Sequence, residues 1–193
     1  MAMMTVDRAP SADLARACEA FAELLDLIGE DQWASPTPCA GWTVRDLVAH
    51  VVAGNRKFVA LLGHQPPVAP HDGEQAATGP QLRSAFHTEL PGLLAAFDAP
   101  GALTGLIALP VGTSPGAVAL RARTTDVLVH GWDLARALGV SAATLPADLA
   151  SSMLEFVGAR RPDLPPDRFA AAQPCSPDAA PIERLAALLG RTP

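Results

Sequence analysis

Asp126 and His130 stand four residues apart in this 193-residue chain, a spacing that on a helix stacks a carboxylate and an imidazole one turn apart on one face. Two metal ligands on adjacent turns fix each other's geometry. A third candidate, His50, falls between Leu47 and Val51 on the apolar side of a separate periodic segment, so the pattern predicts that it points inward. If the two segments are neighbours, the three side chains form a His/His/Asp set. Such a set leaves a tetrahedral zinc ion one open position for water or substrate, as catalytic sites do and closed structural sites do not. A plainer reading stands beside it. An Asp and a His one turn apart are often only a surface hydrogen bond, and a histidine flanked by Val and Ala is often satisfied by a carbonyl. Yet Val127, Leu128, Val129 and Leu134 surround the pair with apolar residues, and buried polar groups require partners. A metal is one such partner; mutual hydrogen bonding is the other.

The elements that must hold these residues are mapped by the 19 prolines, because proline lacks the N–H and clashes with the preceding turn of a helix. In the proline-free window from Ser11 to Ser35, Leu14, Cys18, Phe21, Leu25 and Ile28 recur at helical spacing. A second helix is expected from Val44 to Leu62, with Thr43 as its cap and Asp46 as the carboxylate of a capping box. Residues 63 to 80 are rich in Pro and Gly and lack periodicity, which reads as a long crossover loop. Gln81 to Asp98 is helical in pattern, with Pro91 expected to bend or split it. Gly101 to Gly112 reads as a short extended piece or a buried loop. Past Pro115 a long helix carrying Asp126 and His130 stops at Gly139, and another runs from about Ala147 to Ala159. Pro162 to Pro181 reads as irregular, and Ile182 to Leu189 as a last short helix ending at Gly190. Strand patterns are too few for a sheet. The expectation is an all-α antiparallel four-helix bundle with one long crossover and additional short C-terminal helices, a single domain over residues 1–193 in which 162–193 is an extension packing on the bundle.

Composition narrows the function. The chain is 49% hydrophobic and 18% charged with a net charge of −6, and its 13 Arg and one Lys are scattered, so no phosphate-backbone footprint is present and nucleic acid is not the expected partner. The 38 Ala residues and the absence of Tyr point to a helical core of small residues. No run approaches the ~18 apolar residues of a membrane span, and Met1 to Pro10 lacks the blocks of a signal peptide, so a cytoplasmic protein without membrane partners is expected. Three Cys with no C-x-x-C pair support neither a disulfide framework nor a thiolate cage. Homodimerisation suits an Ala-rich bundle, although no exposed apolar stripe is identifiable.

Other residues carry competing readings. Cys39 precedes the second helix and is read chiefly as packing, since a nucleophilic thiol needs a lowered pKa. Trp42 and Trp132 read as core anchors, each worth ~2–3 kcal/mol in burial, with a pocket-lining role as the alternative. Asp133 either orients an imidazole as a carboxylate behind the metal ligand or pairs with Arg136. Gly54 clears space beside the metal or lets helices approach closely. His64, His71 and His87 have no second ligand at helical spacing.

Two blocks of sequence are more specific. Trp33 to His50, WASPTPCAGWTVRDLVAH, and Asp126 to Arg136, DVLVHGWDLAR, resemble the two signatures of the actinobacterial family related to the mycothiol-dependent maleylpyruvate isomerase N-terminal domain, in the DinB-like superfamily. Arg184 to Arg191, RLAALLGR, resembles the tail of that family's single-domain members. The resemblance implies a DinB-like four-helix bundle holding one divalent metal, typically zinc, with His50, Asp126 and His130 as ligands; in a catalytic reading of that site Asp133 is the candidate orienter. At 126 the isomerase is expected to carry Glu, so the shorter Asp must sit closer or coordinate differently. The implied activity is transfer of a low-molecular-weight thiol, mycothiol, to an electrophilic small molecule, because a zinc ion stabilises a thiolate at neutral pH. The same ion suits hydrolysis by activating water, and a non-enzymatic bundle for ligand sensing or protein association is the reading from another class.

Overall fold

A computed structural model describes residues 9–63, 77–109, 112–163 and 170–193; His64 and His71, and most of the expected crossover loop, lie outside these. Helix α1 (Ala12–Asp26) buries Leu14, Cys18, Phe21, Leu24 and Leu25. It stops short of the end of its proline-free window. Gly29 intervenes, its amide donating to Gln32 Oε1 at 3.0 Å, and Glu30–Ala34 form a 3-10 turn instead. Helix α2 (Val44–Leu62) has the expected bounds. Its capping box is formed: the Thr43 amide donates to Asp46 Oδ2 at 3.0 Å and the Asp46 amide to Thr43 Oγ1 at 3.3 Å, a device worth about 1 kcal/mol.

Helix α3 (Gly79–Asp98) runs through Pro91 without the split that was one of the two outcomes expected there. Pro91 faces solvent, while Leu82, Phe86, Leu93 and Phe97 on both sides of it stay in the core. Burial of that stripe outweighs one missing helical hydrogen bond. The glycine-flanked segment that follows is a hairpin, β1 (Leu106–Leu109) against β2 (Gly112–Pro115), antiparallel with Ile107 opposite Ser114. Helix α4 (Gly116–Leu138) ends in a Schellman reversal, with Gly139 at φ +69° and the Val140 amide donating to the Ala135 carbonyl at 3.0 Å. Helices α5 (Ala147–Arg160) and α6 (Pro181–Leu188) complete the chain.

Helix α1 packs on α3 and α4, and α2 packs on the same two, so α1 and α2 are diagonal in a four-helix bundle. Specific contacts fix the directions. Ser11 caps onto Asp98 while Arg83 reaches the Leu25 and Ile28 carbonyls, which makes α1 and α3 antiparallel. Arg45 reaches the Ala77 carbonyl and Arg56 pairs with Glu89, which makes α2 and α3 parallel, the arrangement that needs a long crossover. The order is therefore up, down, down, up. Helix α6 packs on α5 and α4. Among the described residues no helix is long and apolar enough to cross a membrane.

Candidate metal centre

Antiparallel packing of α2 on α4 brings His50 opposite Asp126 and His130. The Asp126 Oδ1 atom lies 3.7 Å from His50 Nε2 and 3.5 Å from His130 Nε2, and one donor atom from each residue lies within 4.8 Å of the others. These separations exceed the ~2.7–3.2 Å of an N–H···O hydrogen bond. They approach the roughly 3.3–3.5 Å between neighbouring donors on a tetrahedral ion with ~2.0–2.1 Å bonds. The donor set fits a cation better than it fits mutual hydrogen bonding. His50 does not point into the core as expected: its side chain is 43% exposed, at the open rim of the cluster. His130 is buried, and Trp42 covers both rings, with centroids 4.9 Å from His50 and 5.9 Å from His130. Trp42 is thus a wall of the site, whereas Trp132 is a fully buried core anchor.

The second oxygen of Asp126 is held by Arg123, one turn earlier on α4, at 2.5 Å. Arg123 is 1% exposed. Its guanidinium also donates to Asn55 Oδ1 at 2.6 and 3.1 Å and to the Val51 carbonyl at 2.6 Å, both on α2. Gly54 makes this insertion sterically feasible: a Cβ there would collide with Arg123 Nη1 and sit 3.0 Å from Cζ. Space for the guanidinium, rather than for a metal, is what that glycine supplies.

On the far side of the His130 ring, Nδ1 lies 3.0 Å from Asp133 Oδ2. Asp133 is fully buried, and Arg191, not Arg136, is its cationic partner: Nη2 reaches Oδ2 at 3.0 Å and Nε reaches Oδ1 at 3.3 Å. The Cys39 thiol donates to the same Oδ2 at 3.1 Å. Arg136 instead lies over the Trp132 ring. Arg191 arrives by a second Schellman reversal, Gly190 at φ +89° with the Arg191 amide donating to the Ala186 carbonyl at 3.0 Å. Cys39, His130 and Asp133 also lie within ligand reach of one another, but both Asp133 oxygens are engaged by a guanidinium that would repel a cation. His50, Asp126 and His130 are the better candidate set.

Electrostatics follow this layout. Burial pushes the Asp126 carboxyl up, but the charge and contacts of His130, with those of His50 and Arg123, outweigh it and hold it well below the usual range. Burial pushes His130 down, and Asp126, Asp133 and Cys39 together more than reverse this, so its pKa stands well above the ordinary value. Asp133 is likewise lowered, burial being overcome by His130 and Arg191. The wholly buried Cys18 thiol is pushed by burial up to about 12 and is no nucleophile. Beside the cluster lies a cavity of about 160 Å³, lined by Asp126, Val129, His130, Phe156, Val157 and Arg191 among others.

The sequence pattern located the three ligand candidates and Asp133, and left out Arg123 and Asn55. Arg123 lies one turn before Asp126 in the polar stretch Arg121 to Asp126, and Asn55 lies one turn after Val51 on α2; neither carries a signal that separates it from a surface residue. His87 pairs with Asp26 at 3.0 Å, away from the cluster.

An up, down, down, up helical bundle with a His/Asp/His cluster between its second and fourth helices is of the DinB-like class. The chain belongs to the mycothiol maleylpyruvate isomerase N-terminal domain family, whose sequence model matches residues 14–135. Two uncharacterized proteins of Mycobacterium tuberculosis, from strains CDC 1551 / Oshkosh and H37Rv, are each 42% identical over 185 residues, covering 92% of this chain and 94% of theirs. Crystal structures of the mycothiol-dependent maleylpyruvate isomerase and of a mutant of it are similar in fold. Their TM-scores are 0.63 and 0.62 at 20% and 21% identity, over 77% of this chain and 68% of theirs.

Proposed function

We propose that His50, Asp126 and His130 hold one divalent ion, zinc by the character of two imidazoles and a carboxylate, in a metal-dependent enzyme that transfers a low-molecular-weight thiol, mycothiol, to an electrophilic small molecule. The observation that carries this is the spacing of the three donors beside a cavity, with a half-exposed ligand at the rim. Three protein ligands with solvent access suit catalysis; a fourth protein ligand would have favoured a structural role. When bound, the ion would stabilise a thiolate by charge at neutral pH. Mycothiol as the thiol follows from the isomerase relatives.

The protein's own groups have separable tasks. Arg123 holds one Asp126 oxygen, so the other is presented to the cation; this fixed grip also suits the shorter Asp at 126, because the carboxylate is brought to the imidazoles rather than left to reach for them. Asp133 is a positioning residue. By accepting from His130 Nδ1–H it keeps that proton in place and leaves Nε2 as the donor atom. Trp42 shields the two imidazoles on one side, and Phe156 and Val157 give the acceptor molecule an apolar wall.

Metal analysis of freshly purified protein should give about one zinc per chain, and His130→Ala should lose both the metal and thiol transfer, assayed with mycothiol and maleylpyruvate alongside other electrophiles. Transfer that persists in the metal-free variant would reject the reading. Turnover of esters or amides without added thiol would replace it with hydrolysis.

A further inference from the structure

The cavity beside His130 is closed by elements that lie beyond the residues the family model matches. Helix α4 forms one wall, which carries Asp126 and His130 and, between them, the buried Val129. The other wall is Phe156 and Val157 of α5 with Leu189 at the end of α6, all three buried. Phe156 is held in place by two guanidinium groups, Arg121 at 4.7 Å and Arg160 at 4.2 Å from its ring centroid. Polar groups on the lining are engaged by their own neighbours. The Thr125 hydroxyl donates to the Arg121 carbonyl at 2.8 Å, and Arg191 donates through Nε and Nη2 to Asp133 and through Nη1 to the Leu189 carbonyl. What the walls enclose is a largely apolar space of about 160 Å³. A dry cavity of roughly 150 Å³ lined by Leu, Ile and Phe takes up benzene.

We propose that this cavity binds an apolar body the size of a single six-membered ring, and that Phe156, Val157 and Leu189 set that size. Resting on the thiol-transfer reading above, the body belongs to the acceptor, a compact electrophile whose reactive carbon lies toward Asp126 and His130. Styrene oxide is an acceptor of this class. In its reaction the thiolate sulfur bonds to one epoxide carbon, the C–O bond breaks with its electron pair going to oxygen, and that oxygen takes up the proton released by the thiol. Size selection follows from the walls: an extra ring carbon has no free space to enter, and a misfit of one or two carbons in an apolar pocket changes affinity by about tenfold or more.

The test is titration of the full-length protein with fluorobenzene and with 1-fluoronaphthalene, followed by 19F NMR. Fluorobenzene should bind saturably, and the two-ring probe should bind about tenfold more weakly. Ala122→Leu should lose fluorobenzene binding. Ala122 lines the cavity from a half-buried position on α4, and leucine suits a helix nearly as well as alanine, so this variant should fold while filling the space. Val157→Ala shortens the opposite wall and should narrow the gap between the two probes. In zinc-loaded protein with mycothiol, Ala122→Leu should lower kcat/KM for styrene oxide by about tenfold. Fluorobenzene binding without transfer to any acceptor would refute thiol transfer and leave the ring-sized site standing. The proposal is overturned by no saturable fluorobenzene binding up to the solubility of the probe, by equal binding of the two probes, by a gap that Val157→Ala leaves unchanged, or by binding that Ala122→Leu leaves intact.

Discussion

Asp126 and Asp133 stand two turns apart on one helix and flank the same imidazole from opposite ends, yet their surroundings differ in one decisive respect. Asp126 gives one oxygen to Arg123 and keeps the other 3.5 and 3.7 Å from two imidazole nitrogens. Asp133 is fully buried and has both oxygens taken, by His130, Arg191 and Cys39. Under the proposed metal centre, the carboxylate that would face the cation retains a lone pair with no close donor, whereas the one that would orient a neighbour is saturated. Charge alone does not separate the two roles; the count of hydrogen bonds on each oxygen does.

The sharpest way to break this comparison is to delete each acid in turn. Asp126→Ala should abolish stoichiometric zinc, measured by metal analysis after dialysis. Asp133→Asn should retain measurable zinc with affinity reduced ~10–100-fold in a chelator competition, as expected for a group that orients a ligand. Equal losses would erase the distinction. Next in size is stability. Arg191→Ala removes the cation from a buried carboxylate and should cost about 3 kcal/mol in urea unfolding, while Arg136→Ala, which touches neither acid, should cost less than about 1 kcal/mol.

The dependence on pH sharpens the comparison further. In metal-free protein the His130 pKa is raised, so its stabilisation is fully present below about 6.5 and is lost as pH rises through the raised value. Asp126 and Asp133 are lowered, so theirs is present above about 3.8 and lost as pH falls through the lowered values. Urea unfolding of chelator-treated protein should therefore weaken on the alkaline side, and saturating zinc, which binds neutral His130, should remove that decline. The smallest effect is at Cys39: Cys39→Ser, which keeps a donor to Asp133, should be nearly neutral, and Cys39→Ala should cost about 1 kcal/mol.

Much of this architecture was legible because its signals are local. Thr43 and Asp46 announce the start of α2, Gly139 and Gly190 announce reversals, and a four-residue step sets Asp126 beneath His130. What was not legible depends on packing between elements. Pro91 suggested a break, and the buried stripe through α3 overrode it. His50 was placed on the correct side of α2, but its exposure depends on what the neighbouring elements leave uncovered. Arg191 was visible only as part of a tail motif, since its meeting with Asp133 spans 58 residues of chain. Arg123 belongs to the polar stretch Arg121 to Asp126 and does not stand out there; its burial is set by packing between α2 and α4.

The fit of Arg123 over Gly54 ties the histories of two positions together. A Cβ at 54 would force the guanidinium to shift and loosen its grip on Asp126, so an alanine there should be harmful in this background and nearly silent once residue 123 is already short. Lineages that lose one of the two should shed the other soon after, a paired drift that a comparison of sequences would expose as covariation between a glycine and an arginine 69 residues apart in the chain.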